Sequence, residues 1–214
     1  VVGSGTILQR VDADGRSMFR VSLSENLTGT AALSGEFVVV PVGASLHWVG
    51  LSGQPRRVVE LGANIAAGPS INRDGDAWVL THDGQVIRVT ESGRIAVRTV
   101  LDGVRGSPVS NLAIAPDGSV RFGTLTTGLL NVSADGVERW RFERPDAQLS
   151  GPVVVDADGH ALTVEANGEL IAVGADGMLR WAIPLEARVD VAPAVAADGT
   201  IYVSFVQGEV HAFR

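Results

Sequence analysis

Turn signals recur along this chain about every 40 residues, and this period limits the available folds more than any other feature of the sequence. The clearest copy is residues 191–214, where apolar runs at 194–196, 201–205 and 210–213 are separated by Asp198-Gly199 and Gln207-Gly208. Two-residue turns of this kind join antiparallel strands. Ile201, Val203 and Phe205 alternate with other residues at the two-residue period of a pleated strand with one packed face. A small residue followed by proline or threonine opens each copy, at Gly29-Thr30, Gly68-Pro69, Ser107-Pro108, Gly151-Pro152 and Ala192-Pro193. First turns follow at Gly35, Gly75, Gly118, Gly159 and Gly199, and second turns at Gly5, Gly43, Gly84, Gly128, Gly168 and Gly208. Third turns fall at Gly15, Gly53, Gly93, Gly136 and Gly177, and four residues beyond each stands Phe19, Arg57, Val97, Trp140 or Trp181. That last run supplies a fourth strand, as at 179–184.

Four strands per repeat of this length predict an all-β fold, a β-propeller of four-stranded antiparallel blades. A helical solenoid is excluded, since no window of 11 or more residues shows helical periodicity with caps. The chain reads as a single propeller domain, 1–214, with repeats at 1–27 (partial), 28–66, 67–105, 106–149, 150–190 and 191–214 (partial). The connections between repeats are too short for a linker. The partial repeats at the two ends allow two arrangements. In one, residues 17–23 supply the fourth strand of the last blade and close a five-bladed ring; in the other, the chain is part of a seven- or eight-bladed ring.

The pattern small-Pro-x-x-x-x-Asp-Gly-x-x-apolar, then x-Gly-x-apolar-x-Ala, then Ala-Asp-Gly-x-x-x-Trp resembles the PQQ-like, quinoprotein-type propeller repeat. The copies at 151–181 and 192–213 carry it best, 108–140 well, 69–97 fairly and 29–61 weakly. Within that family the chain resembles the propeller lipoproteins of the bacterial outer-membrane β-barrel assembly machinery. The resemblance implies that Trp140 and Trp181, with Phe19 at the same repeat position, dock adjacent blades against each other. It also implies a noncatalytic scaffold that presents its loops to a protein partner, with no cofactor. A sensor or extracellular ligand-binding domain of a larger protein is a second reading. A quinone-dependent dehydrogenase is a third, and the absence of cysteine, where such enzymes usually carry an adjacent-cysteine disulfide, weighs against it.

Composition narrows the class of partner. The net charge is −7 and all 17 basic residues are arginine. Such an acidic chain is a poor match for nucleic acid, whose binding draws on clustered basic side chains. No run approaches 18 apolar residues, so no helical membrane span is expected. Arginine without lysine, among abundant alanine, glycine and valine, suggests a GC-rich bacterial source. The scaffold reading places the protein in the periplasm or outside the cell, as a monomer or an oligomer formed through open sheet edges. Partner-facing side chains are expected on the loops between blades, where rigid strands position variable residues. The candidates are Arg56, Arg57, Arg105 and Arg144.

Other chemistry-bearing residues have simpler readings. His47, His82, His160 and His211 fall at different points of the repeat and share no ligand spacing. Asp12-Ala13-Asp14-Gly15, Asp74-Gly75-Asp76 and Asp156-Ala157-Asp158-Gly159 resemble calcium loops only in part, and aspartate also suits turns by bonding its own backbone. Trp48 and Trp78 occupy other phases of the repeat and are weaker candidates for a binding face. No Gly-x-Ser-x-Gly elbow is present.

Overall fold

The computed structural model describes residues 2–104, 111–125, 127–144, 148–149, 151–186, 189 and 191–214. The predicted loop candidate Arg105 and the Ser107-Pro108 repeat marker lie outside the described residues. By contacts the chain divides into two compact units, Val1–Gly106 and Ser107–Arg214.

The first unit holds three antiparallel sheets. β1 (Val2–Ser4), β2 (Ile7–Val11) and β3 (Ser17–Ser22) make the first sheet. β4 (Ala32–Ser34), β5 (Phe37–Val42), β6 (Ser45–Gly50) and β7 (Pro55–Glu60) make the second. The third is β8 (Ile65–Ile71), β9 (Ala77–Thr81), β10 (Gln85–Val89) and β11 (Ile95–Val100). In the second unit, β12 (Ala113–Ile114), β13 (Val120–Thr124), β14 (Gly128–Val132) and β15 (Glu138–Phe142) form the fourth sheet. The fifth is β16 (Val154–Val155), β17 (Ala161–Val164), β18 (Glu169–Val173) and β19 (Leu179–Pro184). β20 (Ala194–Val195), β21 (Ile201–Ser204) and β22 (Val210–Phe213) form the sixth.

Every sheet runs in sequence order, as tight turns dictate. In the four-stranded sheets the two middle strands are mostly buried, β9 and β13 along their whole length, whereas the fourth strands are partly buried or exposed over most of their length. β3 pairs with β2 and closes the first sheet. The arrangement in which residues 17–23 complete the last sheet is therefore not the one adopted: these residues have their own neighbour one turn away, and a local hairpin forms at lower entropic cost than a distant pairing.

Neighbouring sheets pack face to face through apolar clusters. Leu8, Val38, Val40 and Phe19 join the first sheet to the second, and Val39, Leu46, Trp48, Val79 and Ile87 join the second to the third. Leu129, Ile171, Val173 and Trp140 join the fourth to the fifth, and Leu170, Val203, Phe205 and Trp181 join the fifth to the sixth.

Candidate functional site

Each of the first five sheets has a β-bulge at the same place, between its last two strands, after Arg10, Trp48, Arg88, Asn131 and Ala172. A bulge re-aims the side chains beside it. Directly before it, one row of residues crosses the sheet in register: Arg10–Phe19 in the first sheet, Val39–Trp48–Arg57 in the second and Trp78–Arg88–Val97 in the third. The fourth sheet has Arg121–Asn131–Trp140 and the fifth has Leu162–Ala172–Trp181.

In sheets one to four this row pairs an arginine with an aromatic residue, although the two change strands from sheet to sheet. The guanidinium carbon of Arg57 lies 5.8 Å from the Trp48 ring centroid, that of Arg88 5.6 Å from Trp78, and that of Arg121 5.5 Å from Trp140. At these distances the ring quadrupole attracts the cation, most strongly where water is excluded. Trp48, Trp78 and Arg121 are all but fully buried. Burial pushes the Arg121 guanidinium pKa down, and the carboxylates of Asp117 and Asp156 oppose that shift.

The rows also reach the next sheet. Arg10 donates from Nη1 to the Leu51 carbonyl at 2.6 Å, Arg57 donates to the Glu91 carbonyl, and the Trp140 indole N–H donates to the Ala175 carbonyl at 2.8 Å. Those three carbonyls occupy one repeat position, two residues before the third-turn glycine. The glycines themselves are covered: Phe19 packs on Gly53, Arg57 on Gly93 and Trp140 on Gly177. Arg121 donates across the same junction to the Gly159 carbonyl, while Arg88 stays in its own sheet, 3.4 Å from Asp76.

This geometry places the residues singled out in the sequence. Phe19 and Trp140 cover the next sheet's turn glycine, and Trp181 packs in the cluster between the fifth and sixth sheets. Arg56 and Arg57 lie in strand β7, not in a loop. Arg56 is exposed and is the extra residue of the bulge, between Pro55 paired with Val49 and Arg57 paired with Trp48. Arg57 is committed to Trp48 and Glu91. Arg144 is bound at 2.5 Å to Glu165 and at 2.9 Å to Glu169. Glu165 is only 2% exposed, and burial pushes its carboxyl pKa up against the opposing pull of Arg144. Trp48 and Trp78, weaker binding-face candidates by sequence, are core residues.

The fifth row lacks an arginine, and a cavity of about 630 Å³ opens beside it. Leu162, Trp181, Ile201 and Phe213 line it, with Asp158 and Asp198 also in its wall. Its volume falls in the range of ligand pockets. The backbone N–H and hydroxyl of Thr200 hold Asp198 below the usual carboxylate range, so it carries its charge at neutral pH. Asp156, Asp158 and His160, also in the lining, bring one ligand atom each within 4.8 Å of one another, the single such group among the described residues. Both Asp156 oxygens are taken by His160, at 2.7 Å from its backbone N and 2.8 Å from Nδ1, which makes the loop a self-bonded aspartate turn. Around the sixth sheet, Tyr202, Val206 and Val210 are exposed.

Comparisons with known proteins agree with this architecture. A family model described as the lipoprotein LpqB β-propeller domain matches residues 11–139, more than half of the chain. The chain belongs to the LpqB β-propeller family. A second model, described as outer membrane protein assembly factor BamB, matches residues 126–214, where the PQQ-like repeat pattern is clearest. No curated protein matches the chain in sequence. Among solved structures, BamB from Moraxella catarrhalis aligns with a TM-score of 0.76 and 16% identity over 98% of this chain. The chain spans 64% of that protein's length. The WD40 β-propeller domain of Doa1 aligns with a TM-score of 0.69 and 12% identity, over 98% of this chain and 73% of the other. At these identities the likeness is one of fold, and it bears out the all-β propeller read from the sequence, while the second family model bears out the PQQ-like repeat. No helix among the described residues is long and apolar enough to cross a membrane.

Proposed function

We propose that this LpqB-family propeller is a noncatalytic protein-interaction module of the bacterial cell envelope, working in the periplasm or outside the cell. The observation that carries the reading is the pair of family matches, and exposed apolar side chains on the sixth sheet supply a surface to test. Tyr202, Val206 and Val210 are 44%, 61% and 61% exposed, close in sequence to the lining of the cavity between the fifth and sixth sheets. The family supports the setting, since one matching model describes a lipoprotein and the other an outer-membrane assembly factor. The net charge of −7 favours a partner with basic side chains over nucleic acid.

The test is capture from the envelope fraction of the source organism, comparing the wild-type chain with Tyr202→Ser/Val206→Ser/Val210→Ser. A defined protein retained by the first and lost from the second, with both chains folded by circular dichroism, supports the reading. Equal retention, or no protein retained, overturns it.

A further inference from the structure

The junction between the fourth and fifth sheets holds a second cavity, of about 490 Å³, within the size range of ligand pockets. Both sheets have all four strands, and the whole wall belongs to the second unit. Asp117 and Ser119 line it from the first turn of the fourth sheet, Asn131 and Ser133 from the end of β14, and Asp135 and Arg139 from beyond. Asn131 is 3% exposed, and its Oδ1 is buried without a hydrogen-bond partner. Such an oxygen costs free energy until something donates to it. In the third sheet the corresponding positions, before the bulge and after the first-turn glycine, hold Arg88 and Asp76, which meet at 3.4 Å. Asn131 and Ser119 stand in their places, both shorter, and the amide oxygen reaches nothing. The neighbouring hydroxyls do not supply the missing donor. Ser119 gives its proton to Asp117 at 2.7 Å, and Ser133 faces two acceptors of its own turn, the Asp135 carboxylate and the Val137 carbonyl.

The wall therefore offers mainly acceptors, and its charges balance. Asp117 and Asp135 are set against Arg139, 3.7 Å from Asp135, and against Arg121, whose buried guanidinium acts on Asp117. Neither a cation nor an anion finds a net attraction there. We propose that this cavity binds a neutral polyhydroxylated ligand, a pyranose sugar. Its hydroxyls donate to Asn131 Oδ1 and to the carboxylates of Asp117 and Asp135, while the Arg139 guanidinium donates to a sugar oxygen. The last torsion of asparagine is broad, so the amide turns toward a hydroxyl at little cost. The site is distinct from the sixth-sheet surface tested above, so either reading stands or falls without the other.

The probes are methyl α-D-glucopyranoside, methyl α-D-mannopyranoside, methyl α-D-galactopyranoside and methyl N-acetyl-β-D-glucosaminide, each titrated to millimolar concentration into the full chain. Binding is read from the backbone amide resonances of Ser119 and Asp135. At least one glycoside is expected to shift both resonances saturably. Asp117→Asn, on the exposed turn, is expected to weaken that glycoside about tenfold or more, since a charge-assisted hydrogen bond gives way to a neutral one. Asn131→Val is expected to abolish the shifts and to leave the melting temperature no lower, because it removes an unpaired buried oxygen. An asparagine that served only the fold would cost stability when replaced. Should Asn131→Val fail to fold, Asp117→Asn decides. No saturable shift from any of the four glycosides, or undiminished binding by Asp117→Asn, overturns the inference. A larger response to calcium ion or to Nα-acetyl-lysine amide also overturns it and gives the cavity to a cation.

Discussion

Two glycines with nearly the same backbone and different surroundings test whether the aromatic staples hold the sheets together. Gly177 has φ +82° and Gly199 has φ +85°. An alanine Cβ at Gly177 would come within 2.7 Å of Trp140 Cγ, whereas at Gly199 it would meet nothing within 4 Å. Gly199→Ala therefore carries only the cost of an L-residue in the left-handed region, about 1–2 kcal/mol. Gly177→Ala carries that cost plus overpacking of an indole fixed by its bond to Ala175 and by Arg121 beside it, a further ~1–3 kcal/mol. Thermal unfolding followed by circular dichroism separates the two, at about 2–4 °C per kcal/mol for a chain of this size. Adding Trp140→Leu to each variant should recover the extra loss at Gly177 and nothing at Gly199, a coupling that a double-mutant cycle isolates. Equal losses for the two glycine variants, or a Gly177 loss unaffected by Trp140→Leu, would show that the indole does not clamp that turn.

Trp140→Phe should cost about 1 kcal/mol in urea unfolding, because it deletes the bond to Ala175 and keeps most of the ring. Glu165, whose folded pKa is raised, binds its proton more tightly folded than unfolded, so its contribution to stability is full below the ordinary value of 4.5 and is lost as pH rises through the folded value. Melting temperatures of wild type and Glu165→Gln, measured from pH 4 upward, should therefore diverge with the wild type losing ground; parallel curves would sink the assignment. His47 behaves in the opposite direction. Burial lowers its pKa from 6.5, against the opposing pull of Glu60 and Glu25, so its contribution is present above 6.5 and is lost as pH falls through the lower folded value. His47→Asn should flatten that acid limb, and an unchanged limb would remove His47 as its source.

The sheets were legible because turns are local. Gly43, Gly84, Gly128 and Gly168 mark hairpins whose strands neighbour each other in sequence, and the predicted strand at 179–184 is found at those bounds. The staples were half legible. Four residues after each third turn, the position of Phe19, Trp140 and Trp181 could be seen to repeat, and Arg57 looked like an exception. In space Arg57 does the same work: it covers Gly93 and bonds to Glu91, with its aromatic partner Trp48 one strand away. The pairing of arginine with ring is invisible along the chain because the two exchange strands, and only the register beside the bulges brings them into one row. Arg144 looked like a free loop charge because its partner Glu165 is 21 residues away and buried.

A protein assembled from similar sheets runs the risk, while folding, that a sheet docks on the wrong neighbour, the usual failure of repeat proteins. The shifting rows make each junction individual. If the first sheet met the face made for the second, Phe19 would arrive where Arg57 belongs, and the Glu91 carbonyl would be left to Arg10 from a different strand. If the second sheet met the face made for the fourth, a cation would arrive where the Trp140 ring is seated. Each such error would set a side chain of the wrong shape against the turn glycine. The irregularity that obscures the repeat in the sequence thus acts as an address label, by which near-identical parts find their proper order.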